Sequence, residues 1–72
     1  MEFLFVEYPD TCSVILNGIA GAWTTNQVLV LAPGHYSITL SLDEGLFRPT
    51  EIDLTLTGTN VFEPKTVTFV KS

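Results

Sequence analysis

Apolar and polar residues alternate with a period of two along most of the chain, and no window holds the i, i+3, i+4, i+7 spacing of an amphipathic helix. The pattern predicts an all-β chain. EFLFVEY, Glu2 to Tyr8, is apolar and aromatic-rich and ends at the turn signal Pro9-Asp10. CSVIL, Cys12 to Leu16, stops at Asn17-Gly18, a pair that tolerates the positive φ angles of a tight hairpin. Ile19 to Gln27 is small and polar enough for a short edge strand or a loop. VLVLA, Val28 to Ala32, is an unbroken apolar row, as expected of a strand covered on both faces or lying at an interface. Pro33-Gly34 presets a type II turn, whose twist suits a tight hairpin poorly, so a wider loop or an arch between sheets fits equally.

HYSITLSL, His35 to Leu42, places Tyr36, Ile38, Leu40 and Leu42 on one face and His35, Ser37, Thr39 and Ser41 on the other. Asp43-Glu44-Gly45 turns the chain, and Leu46, Phe47 and Pro49 lead into TEIDLTLT, Thr50 to Thr57, where Ile52, Leu54 and Leu56 face inward. After Gly58-Thr59-Asn60, KTVTFVKS closes the chain with Val67 and Phe69 inward. Six or seven short strands at regular spacing read as one domain, residues 1–72, folded as a small antiparallel β-sandwich or partly open barrel.

Two strands carry more apolar residues than a two-layer sandwich can bury. Phe3 and Phe5 oppose Leu4, Val6 and Tyr8, and Val28 and Val30 oppose Leu29 and Leu31. One face of each sheet meets the core, so the second apolar row needs another cover. A partner chain supplies it, and apolar edges without charged guards also invite strand addition. Phe3, Phe5, Val28, Val30 and Trp23 are therefore the expected interface residues, and a homo-oligomer or a protein hetero-partner is expected.

Composition narrows the alternatives. At 72 residues, the chain buries only about 60% of the surface that its unfolded form exposes. Its hydrophobic fraction of 46% against 15% charged is too apolar for a disordered chain. The single Cys12 cannot form an internal disulfide, and one His with one Cys cannot close a structural zinc site. Net charge is −5, with Arg48, Lys65 and Lys71 the only basic residues. Three scattered cations cannot neutralise a run of phosphates, which argues against nucleic acid and against an anionic membrane surface. The first residues, MEFLFVEYPD, lack a basic region, and their apolar run ends at Glu7, too short for a signal peptide or a membrane span. No membrane insertion is expected, and the compartment stays open.

Candidate chemistry is sparse. His35 is the only imidazole, sits on the polar face of its strand, and has no evident nucleophile to serve. Cys12 shares parity with Val14 and Leu16 and reads as a small core residue, with few cations to lower its pKa. The nucleophile elbow, the phosphate-cradling glycine loop and the zinc helix are all missing from the sequence. Asp10, Asp43 and Glu44 could meet around a cation only if their loops converge, and solvated turn acids are the simpler reading. No catalytic residue, metal or cofactor is expected. Trp23 either stands in a polar loop as a stacking platform or anchor, or plugs an open end of the sandwich. As a platform, it joins Tyr36 and Phe47 in a carbohydrate-binding alternative.

Val14-Ile15-Leu16-Asn17-Gly18, then Gly21, then VLVLAPGHYSITLSL with FRPTEIDLTL behind it, resembles a PEGA-type domain. Its relatives are the carboxypeptidase regulatory-like and prealbumin-like sandwiches. The similarity covers roughly Cys12 to Thr57 and rests on turn signals. Two departures stand out: the family's Thr-Pro is here Ala22-Trp23-Thr24-Thr25, and its Pro-Glu-Gly-Ala string appears only as Ala32-Pro33-Gly34-His35. The resemblance implies a non-catalytic β-sandwich, often an appended module of bacterial envelope proteins, and with it an extracytoplasmic setting. The expectation is a non-enzymatic module that works by protein–protein contact, through self-association or within a larger assembly. A carbohydrate-binding or envelope accessory module is the alternative.

Overall fold

Asn17 and Gly18 take φ angles of 52° and 77°, the left-handed pair that a two-residue hairpin needs. They join β2 (Ser13–Leu16) to β3 (Ile19–Thr24). The Asn17 side chain also ties this turn to the neighbouring strand: its Oδ1 accepts from the Ser37 N–H at 2.8 Å, and its amide donates to the His35 carbonyl at 3.4 Å. The structure is a computed structural model that describes the backbone of residues 1–72 and every side chain except that of Glu44.

Two sheets face each other as a small all-β sandwich. In the first, β1 (Glu2–Glu7) is central, flanked by β4 (Val28–Leu31) and β8 (Lys65–Thr68). The second runs in the order β3-β2-β5-β7, with β5 spanning Gly34–Leu40 and β7 spanning Ile52–Leu56. A 3-10 turn at Glu44–Leu46 leads into β6 (Phe47–Arg48), which pairs with β9 (Val70–Lys71). The pairings are antiparallel except that β8 runs parallel to β1, a departure from the purely antiparallel expectation. Its cause is long-range: Thr59 is bonded to Glu2 and Phe3, so the returning chain starts beside the beginning of β1 and runs along it.

Burial follows the alternation. The first sheet contributes Leu4, Val6, Leu29, Leu31 and Val67, and the second contributes Val14, Leu16, Ile38, Leu40 and Leu56. Phe47 and Phe69 meet edge to face at 5.6 Å. Thr25 is the one buried polar residue among those described. Its hydroxyl accepts from the Cys12 N–H at 3.0 Å and donates to the Asp10 carbonyl at 2.8 Å, so burial leaves it fully paired.

The chain crosses between sheets twice in this region. At Thr25–Asn26, backbone N–H groups reach Cys12 and Val6 on opposite sheets. At Pro33-Gly34 the chain arches from β4 to β5. Gly34 has a φ of 151°, an extended mirror-image conformation rather than the type II angle. Tyr36 steadies the arch by donating its hydroxyl to the Ala32 carbonyl at 2.6 Å. The VLVLA row is not covered on both sides within this chain: Leu29 and Leu31 are buried, while Val28 and Val30 are open.

Candidate functional site: the outer face of the first sheet

In the β1–β4 ladder, Phe3 stands opposite Val30 and Phe5 opposite Val28. Directly opposed residues of an antiparallel pair project to the same side, so the four side chains form one contiguous patch. Leu4 and Leu29, one residue out of phase, fill the core instead. Val28 and Val30 keep 44% and 51% of their surface exposed, and Phe3 and Phe5 are half-buried. Thr66 pairs with Phe5, and Thr68 pairs with Glu7 and donates to its carboxylate at 3.2 Å. Thr66, Thr68 and Glu7 therefore give the patch a polar border toward β8, and β4 itself carries no charged residue.

Trp23, expected with these four, lies elsewhere. It is on β3 of the second sheet, half-buried and packed against the core. Its indole folds back over Gly21, where a Cβ would lie 2.8 Å from Cζ3. The carbohydrate trio is not assembled either. Tyr36 is half-buried against the core with its hydroxyl engaged in the arch. Phe47 is a correction to the sequence expectation: at 1% exposure it is a core residue against Phe69 and offers no stacking surface. The 3-10 turn before it sets the phase, turning Leu46 outward and Phe47 inward.

His35 stands on the outer face of the second sheet, with Nε2 3.9 Å from Asp53 Oδ1 and both side chains well exposed. Cys12 is half-buried. Desolvation is the main influence on its thiol and pushes its pKa above the ordinary value, with the Asp10 charge adding to the rise and a Thr25 hydrogen bond opposing it. Burial of this kind keeps the thiol protonated and unreactive at neutral pH. Of the turn acids, Asp10 forms an ion pair with Lys71 at 2.8 Å, and the Glu44 side chain lies outside the described residues. Among the described residues, no three His, Cys, Asp or Glu side chains converge as metal ligands.

Two features had no counterpart in the sequence reading. A cavity of about 280 Å³ opens between Tyr8, Asp10, Leu42, Leu46, Lys71 and Ser72, and its hydrogen bond to Asp10 raises the Lys71 pKa. These residues come from separate segments, so no local pattern announces the cavity. The second is Phe62, 91% exposed beside an exposed Val61. Asn60 holds this turn by accepting from the Phe62 and Glu63 N–H groups at 2.9 Å. A Val-Phe pair between an Asn turn and Glu63-Pro64 is the only sequence signal that marked it.

No protein-family model matches the chain, and no curated protein or solved structure matches it.

Proposed function

We propose that this chain is a non-enzymatic protein–protein interaction module that self-associates through the outer face of its first sheet. One observation carries the reading: Phe3, Phe5, Val28 and Val30 are brought side by side by strand register and remain in contact with water. Apolar side chains ordered on a regular sheet lower the entropic cost of docking, and covering them removes apolar surface from water. The resemblance to PEGA-type sandwiches supports a non-catalytic role, as do the exposed imidazole and the protonated thiol. The carbohydrate alternative loses Phe47, and nothing in the placement of Trp23 and Tyr36 favours it.

Phe5→Lys and Val30→Lys test the reading, because both side chains lie on the outer face and leave the core rows intact. Each removes one apolar contact worth about 1.5 kcal/mol or more, about tenfold in affinity. Light scattering should show association weakened in both variants, with the β-sheet circular dichroism of the parent retained. Undiminished association in both would overturn the assignment to this face.

A further inference from the structure

The patch has a border, and the backbone there has a direction. The Phe3 N–H goes to Thr59 and the Glu7 carbonyl accepts from the Phe69 N–H, whereas the Val6 carbonyl accepts from Asn26 on the β4 side. Odd-numbered residues of β1 therefore turn their main-chain groups away from β4, and even-numbered residues turn theirs toward it. Leu4 and Leu29 form a bonded pair across the ladder, while Val28 and Val30, opposite Phe5 and Phe3, point their N–H and C=O groups away from β1. β4 has a strand neighbour on one side only. Two donors and two acceptors thus face outward along an open edge.

Proteins normally guard such an edge with charge, a bulge or proline. The β7 and β8 edges carry Asp53 and Lys65. β3, the remaining edge of the two larger sheets, is blunted by a register break against β2 between Ser13 and Ile15. β4 has neither protection. Its register with β1 is unbroken, and the chain contains no Asp, Glu, Lys or Arg from Thr11 through Leu42.

We infer that the occupant of this edge is the β4 strand of a second copy, paired antiparallel about a two-fold axis through Leu29. In that register Val28 of each copy faces Val30 of the other, and the outward N–H and C=O groups exchange four main-chain bonds. The two three-stranded sheets become one continuous sheet of six strands. The side chains of Val28 and Val30 from both copies fall on the same face, so the apolar patch is continued across the axis rather than interrupted. The edge fits a copy of this chain. The outward groups are self-complementary under a two-fold, as an isologous contact requires. The net charge of −5 on each copy opposes their approach, and β4, which carries no ionised residue, is an edge where two copies meet without setting charged strand residues against each other.

The inference rests on the proposed self-association and adds to the contact through the face a second contact, along the β4 edge. Amide hydrogen–deuterium exchange followed by NMR, with mass measured by light scattering on the same samples, separates the two. The amides of Val28 and Val30 should exchange freely at dilution and slow by about tenfold or more where the mass doubles. Those of Leu29 and Leu31, bonded to β1 in either state, should be protected throughout. A doubled mass with Val28 and Val30 still exchanging freely would overturn the edge pairing and leave association through the face standing. Single-chain mass at every concentration would overturn both.

Discussion

Trp23 illustrates how much a single residue owes to its neighbour. The indole covers Gly21, two positions earlier on the same face of β3, and only a residue without a side chain leaves room for it. Gly21→Ala places a methyl within 2.8 Å of the ring, so the indole must move outward. A loss of about 1–3 kcal/mol in unfolding free energy is expected, together with a red shift of tryptophan emission, both measurable in one denaturant titration. Unchanged emission and stability would show that the ring packs elsewhere. At this scale the sequence was readable wherever alternation ran unbroken: Ile38, Leu40, Leu56, Val67 and Phe69 are all buried as their parity requires. Phe47 was misjudged because alternation cannot be carried through a turn of unknown geometry. One residue of phase decides between Leu46 and Phe47.

Among the elements, the Asn17-Gly18 hairpin and the strands were legible because their signals are local. What joins the chain ends was not, since the partners are more than fifty residues apart. Thr59 donates its N–H and its hydroxyl to Glu2 Oε1 at 2.9 and 2.7 Å, and its Oγ1 accepts from the Phe3 N–H at 2.7 Å. These bonds, the backbone one foremost, hold the Glu2 pKa below its ordinary 4.5. A carboxylate whose folded pKa is depressed contributes stability above its unfolded pKa and loses it as pH falls through the lower folded value. Stability should therefore decline as the solution is acidified below about pH 4.5, and Thr59→Val should reduce the part of that slope owed to Glu2. Urea unfolding of parent and variant across the carboxylate range measures the difference. Equal slopes would mean that the hydroxyl part of the clasp does not operate in solution.

For the whole molecule, the two-layer sandwich was legible from strand count and turn spacing, and so was the surplus of apolar residues on β1 and β4. Which side those residues would take, and that β4 would be an edge, depended on sheet order. Pairings such as β1 with β8 leave no trace in local periodicity. The sandwich that results carries its charges away from β3 and β4 and leaves an ordered apolar patch beside an unguarded edge. Both features are costly on a lone small domain, and the proposed self-association would relieve them. Light scattering across a wide range of protein concentration, at low and at raised salt, tests this most directly. The expected result is a mass that climbs from one chain to a defined multiple as concentration increases. Association should begin at lower concentration when salt screens the −5 charge of each copy. A mass of one chain throughout would contradict the account.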